Sequence, residues 1–219
     1  MLNLLFKRFG VGIYISHTDV LRSLNRTMRR ANIAVNYSKG FNRHMSLKLT
    51  QPLPLGIATN DEWVTIDVAT DISCQEFLKK FNDNCPPYLR GVKVFYTDKN
   101  PSISASVTAS GYVIKSTEAI KYKAEIENLK NGFTVSYDKK GERIVKEVSD
   151  CIYGIKVDEE GIRCVLAFGN KNLRVDVFYK QLNENFGLNI SNEDVVRQKQ
   201  FVSTTDGFIT VDKYLERVR

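Results

Sequence analysis

Apolar residues recur at every second position from the start of the chain. Leu2, Leu4 and Phe6 share one face of a segment that the spacing predicts as a strand over residues 2–9. The Gly10-Val11-Gly12 run then bends the chain, and the period changes from two to 3.6. Val20, Leu21, Leu24, Met28 and Ala31 fall on one side of a helix predicted over 17–31, with Ser16 as N-cap, Asp19 as the capping-box acid and Asn32 able to close the end. Extended segments are predicted at 33–37, 45–49 and 62–68, separated by a loop over 38–44 and by the breakers Pro52, Pro54 and Gly56. Ser73 and Glu76 form a second capping box for a helix carrying Phe77, Leu78 and Phe81, which Pro86 and Pro87 must stop. A strand over 91–96 completes the series.

With the segment over 38–61 treated as an insertion, the order is β-α-β-β-α-β, the ferredoxin-like plan. That plan stacks both helices on one sheet face and leaves the other open for a partner. Residues 97–106, with Asn100-Pro101, read as a linker. The pattern then repeats: a strand at 111–115, a helix at 118–129, a hairpin of 133–137 and 143–148 across Lys139-Lys140-Gly141, a strand at 161–168, a helix at 175–185 and a strand at 195–201, with an insertion near 152–157. The expected fold class is therefore α+β, two tandem ferredoxin-like domains spanning 1–98 and 107–219, the first with a glycine-containing insertion between its middle strands.

Charge sharpens this picture. The net charge is +7, and residues 1–50 hold nine basic residues against the single acid Asp19. The remaining 169 residues thus sum to −1. A cluster of one sign is the footprint expected of a phosphate-binding face. Arg22, Arg26, Arg29 and Arg30 lie opposite the apolar side of the first predicted helix. In the loop, Lys39 and Arg43 supply cations, Gly40 allows close backbone approach, and Tyr37 and Phe41 offer rings on which bases stack.

Only two histidines occur, His17 at the helix start and His44 after the glycine loop, both in the basic region. Two imidazoles beside arginines have the chemistry for metal-independent RNA cleavage, one as base and one as acid. The plainer reading makes His17 a packing residue and His44 a loop hydrogen-bonder. Cys74, Cys85, Cys151 and Cys164 form no C-x-x-C pair and have no neighbouring histidine, so buried free thiols are expected rather than a disulfide scaffold or an iron-sulfur site. Asp61-Glu62 and Glu159-Glu160 border turns and read as solvated charge. No metal or cofactor is implied. No apolar run nears the roughly 18 residues of a membrane span, and the N-terminal apolar stretch is too short for a signal peptide, so a soluble cytoplasmic protein with no membrane partner is expected.

One stretch is more specific. Arg8-Phe9 through Gly12, Tyr14 to Arg22, Arg29-Arg30-Ala31, Tyr37 to Asn42, His44 and Leu53-Pro54-Leu55-Gly56 resemble the radical-SAM-associated protein family of bacteria, whose members read Y-x-S-H-x-D, then R-R-A, then Y-S-x-G-F-N-P-H-P. The match is close over 8–56 and looser beyond, including Lys140-Gly141; Arg43 and Met45 replace the two prolines around the histidine. Family members occur fused to or encoded beside radical SAM proteins, and near genes for a ribonuclease and ribosomal proteins. The resemblance implies RNA as ligand and a radical SAM protein as partner. The chain has no C-x-x-x-C-x-x-C cluster, so its expected role is accessory: an RNA-binding module presenting RNA or a ribonucleoprotein substrate to that partner. A ribonuclease using His17 and His44, and an adaptor for an acidic protein, are the alternatives.

Overall fold

The computed structural model describes residues 1–139, 141–169 and 171–218. They form an α+β protein whose strands pair antiparallel in two compact units. The first comprises Met1–Ser106 together with the stretch beginning at Ile209, and the second Val107–Phe208.

In the first unit, β1 (Leu2–Arg8), α1 (His17–Arg30), β2 (Leu47–Leu49), β3 (Ala58–Ile66), α2 (Cys74–Asn84) and β4 (Leu89–Tyr96) give the sheet order β4-β1-β3-β2. Each neighbouring pair is antiparallel, with Leu4 opposite Val64 and Val94. Alternation decides what is buried: Leu2, Leu4, Phe6, Val64 and Ile66 pack in one cluster with Val20, Leu24 and Met28 of α1 and Phe77 and Phe81 of α2. Both helices start on serine caps, the Ser16 and Ser73 hydroxyls accepting from the Asp19 and Glu76 amides at 3.1 Å. Asn32 follows α1 with φ +52°, a left-handed conformation that asparagine tolerates. Gly91 lets α2 close on the sheet, because a Cβ there would lie 2.9 Å from Leu78 and Phe81.

Residues 33–37 depart from the expected strand. Burial alternates there, but the hydrogen bonds divide: the Asn36 amide donates to the Asp67 carbonyl and the Asn36 carbonyl accepts from Ser46. Only isolated bridges result, Val35 to Val68 and Tyr37 to Met45, and β2 takes the sheet edge instead.

The second sheet face of this unit is not open. It carries Asn3, Trp63, Thr65 and Phe95, all buried. Thr65 Oγ1 donates to Asn3 Oδ1 at 2.9 Å and Asn3 Nδ2 to Thr97 Oγ1 at 3.1 Å, so the polar groups satisfy one another. The one-turn helix α3 (Ile103–Ser106) follows, with Ile103 buried.

The second unit holds β5 (Val107–Lys115), α4 (Lys123–Glu127), β6 (Thr134–Lys139), β7 (Glu142–Glu147), β8 (Ile152–Asp158), β9 (Gly161–Ala167), α5 (Val175–Phe186) and β10 (Val195–Thr204). Its sheet runs β10-β5-β9-β8, again antiparallel throughout. Two sequence expectations change here. The hairpin β6-β7 stands apart as its own two-stranded sheet, and the presumed insertion is the edge strand β8. The reason is burial: β7 is exposed except at a half-buried Ile144, whereas β8 buries Ile152 and Val157. The hairpin's turn residue Lys140 lies outside the described residues. The expected helix over 118–129 is a 3-10 turn, Thr117–Tyr122, followed by the short α4, with no side-chain cap on either to hold a longer one.

Helix α6 (Val211–Arg217) belongs to the first unit. Val211 and Leu215 are buried, the Tyr214 hydroxyl donates to the Pro101 carbonyl at 3.0 Å, and Glu216 lies 3.7 Å from Lys93 on β4. No helix among the described residues is long and apolar enough to cross a membrane.

Candidate functional site

The face of α1 away from the core is set by period alone. At about 100° per residue, Arg26 and Arg29 lie about 40° and about 20° to either side of Arg22, while Arg30 lies about 80° away. The structure follows this geometry. Arg22, Asn25, Arg26 and Arg29 line an open cleft of about 330 Å³, whose other wall is Tyr37, Arg43, His44 and Met45. Arg30 turns toward α2, where its Nε and NH2 donate to the Asn84 carbonyl at 3.1 and 2.7 Å.

The loop that supplies the second wall is closed by local bonds. The Ser38 amide donates to the His44 carbonyl at 2.8 Å, and the His44 amide donates back to Ser38 Oγ at 3.2 Å. Met45 is buried beneath it and bridges to Tyr37, fixing both ends of the loop on the core. His44 Nδ1 lies 3.0 Å from Ser38 Oγ and 3.3 Å from the Asn42 carbonyl. At the tip, Gly40 adopts φ +139° and the Phe41 ring is fully exposed. Lys39 is exposed on the same tip, and Tyr37 is 47% exposed at the cleft.

Electrostatically the cleft is one-sided. Arg22 meets Asp19 at 2.8 Å, and among the described residues no carboxylate pairs with Arg26, Arg29 or Arg43. Hydrogen bonds from the Ser16 hydroxyl and then from Arg22 hold the Asp19 carboxyl below its usual range, so this lone acid stays ionised. Asp19 also attracts Arg26 across space, but one carboxylate does not balance the guanidiniums of Arg22, Arg26, Arg29 and Arg43, and a bound anion relieves their mutual repulsion.

Of the residues singled out from sequence, the cleft brings together Arg22, Arg26, Arg29, Arg43, Tyr37 and His44. It does not include His17, the half-buried first residue of α1, nor Lys39, Gly40 and Phe41 of the loop tip. Asn25 and Met45 line the cleft without having drawn notice in the sequence. Asn25 was legible, being three residues from Arg22 and four from Arg29; Met45 reads as an ordinary core residue.

Arg8 is withdrawn from the basic surface. It is 3% exposed and paired with the equally buried Glu62 at 3.2 Å. Asp61 is buried too and accepts from the Trp63 indole at 2.8 Å, so the Asp61-Glu62 pair is internal rather than solvated. All four cysteines are free thiols, and no described cluster of three or more histidine, cysteine or acidic residues could hold a metal.

No curated protein matches the chain. A family model does, over residues 2–186, which span β1 through α5 and so include every wall of the cleft. The chain accordingly belongs to the bacterial family DUF2344, described as "uncharacterized protein conserved in bacteria".

Proposed function

We propose that the chain is an RNA-binding module that presents RNA or a ribonucleoprotein substrate to a radical SAM partner. The observation that carries the RNA half is the cleft between α1 and the 38–44 loop: Arg26, Arg29 and Arg43 line it with no ion pair among the described residues, beside the exposed Tyr37 ring. Guanidiniums grip phosphates and exposed rings stack bases, a combination suited to a single strand. Phe41 extends the stacking surface beyond the cleft. The partner half is supported by the resemblance of residues 8–56 to the radical-SAM-associated family. We also read each unit as ferredoxin-like, with β6-β7 inserted in the second; the strand orders β4-β1-β3-β2 and β10-β5-β9-β8 support this.

The aromatic rim favours nucleic acid over an acidic protein partner. A two-histidine ribonuclease needs His17 and His44 at one phosphodiester, and the cleft has only His44 on its wall. Binding of a fluorescent mixed-sequence single-stranded RNA, followed by anisotropy across a salt series, tests the reading. The double variant Arg26→Glu/Arg29→Glu should weaken binding strongly and flatten log affinity against log salt by about 0.7 per lost contact. Unchanged affinity and slope in a folded double variant would overturn it.

A further inference from the structure

The hydrogen bonding of His44 carries a consequence for which nucleic acid the cleft takes. Nδ1 faces the Asn42 carbonyl at 3.3 Å, and a carbonyl can only accept. The tautomer with its proton on Nδ1 satisfies this carbonyl, lies 3.0 Å from Ser38 Oγ, and leaves the ring's lone pair on Nε2. Among the described residues, no hydrogen bond engages Nε2. The surrounding cleft is rich in donors: the four guanidiniums of Arg22, Arg26, Arg29 and Arg43 have no acceptor capacity at all.

A lone pair in this setting is no ligand for a phosphate oxygen, which is itself an acceptor. It calls for a donor on the same ligand whose anion the arginines hold. A nucleic-acid backbone offers one only in RNA, where the 2′-hydroxyl adjoins the phosphate; a deoxyribose backbone has none. We propose that His44 selects ribose over deoxyribose, its Nε2 accepting a hydrogen bond from the 2′-hydroxyl of the nucleotide whose phosphate lies among the α1 arginines and Arg43. Ser38 and the Asn42 carbonyl are positioning groups that hold the ring through Nδ1. The proposal rests on the RNA-binding reading and gives the site its substrate class.

The test compares three labelled single strands of one sequence: RNA, DNA with deoxyuridine for uridine, and 2′-O-methyl RNA. Anisotropy is read for all three strands in one buffer at one salt concentration. Wild-type protein should bind RNA about three- to tenfold more tightly than either of the others, the range for one hydrogen bond. His44→Ala, which alters an exposed side chain, should erase that preference so that the three strands bind alike; circular dichroism confirms the fold. Arg26→Glu/Arg29→Glu should weaken all three strands together. If wild type binds RNA and DNA equally, or His44→Ala keeps the wild-type ratio, the role of His44 is overturned while the cleft stands as a phosphate site. If His44→Ala weakens RNA and DNA by the same factor, the ring reads a base and the proposal also fails. Absence of salt-dependent binding to any strand overturns the RNA reading and this inference together.

Discussion

The guanidinium of Arg8 meets Glu62 Oε2 at 3.2 Å and donates to the Gly12 carbonyl at 3.1 Å, all within the buried interior of the first unit. Such a pair gains little over an apolar replacement, but taking one partner out of a buried pair is costly. Arg8→Met should therefore destabilise the first unit by about 3–5 kcal/mol, read as a shift in the urea midpoint of Trp63 fluorescence. Trp63 is the only tryptophan and is fully buried, so it reports this unit. A shift worth less than about 1 kcal/mol would show the pair to be dispensable. Glu147 gives a pH prediction. Hydrogen bonds from the Ser149 side chain, the Phe133 amide and the Ser149 amide lower its pKa from 4.5 to about 2. The folded value is depressed, so the contribution to stability is present above the unfolded pKa and disappears as pH falls through about 2. An NMR titration should find the Glu147 carboxylate still ionised at pH values where ordinary glutamates are half protonated, and a midpoint near 4.5 would contradict these bonds.

At the scale of elements, α1 divides its arginines between two tasks. Arg22, Arg26 and Arg29 share a stripe, whereas Arg30, one residue further round, caps the carbonyl end of α2. Arg30→Gln should lower stability by no more than about 1 kcal/mol, the worth of an exposed hydrogen bond, and should leave the salt slope of RNA binding as in wild type. A flattened slope would return Arg30 to the phosphate-binding set. Ser16→Ala removes the bond from the Asp19 amide that starts this helix, and should cost about 1 kcal/mol in chemical denaturation. The α1 elements were readable from sequence because caps and period are local properties. The 38–44 loop was readable as a glycine-containing connection, but its closure by Ser38 and His44, and its placement beside α1, depend on where Met45 inserts in the core.

For the whole molecule, the C-terminal segment changes what surface the first unit offers. Leu215 and Val211 are buried and Tyr214 is tied to Pro101, although α6 is separated from the rest of that unit by about a hundred residues of sequence. Leu215→Ala should cost about 2–5 kcal/mol and move the Trp63 unfolding transition to lower urea. An unchanged transition would mean that α6 adds nothing to this core. The arginine cleft lies on the helical side of the sheet, so the proposed RNA binding does not require the sheet face that a four-stranded antiparallel plan ordinarily leaves free.

The sequence by itself determined the features governed by neighbours within a few turns: the strand of Leu2, Leu4 and Phe6, the capped helices at Ser16 and Ser73, the α+β class and the arginine stripe. Each follows from side-chain period or from a cap reaching its own backbone. Only the tertiary structure decided that Arg8 and Glu62 are internal, that β8 rather than the β6-β7 hairpin joins the second sheet, and that His44 and Arg43 face Arg26 and Arg29. These outcomes depend on which apolar faces find each other across long separations. Residues 142–147 form a strand with β6, yet their adjacent Ile144 and Val145 point to opposite faces and give no apolar side worth burying, and β8 wins the edge because Ile152 and Val157 supply one.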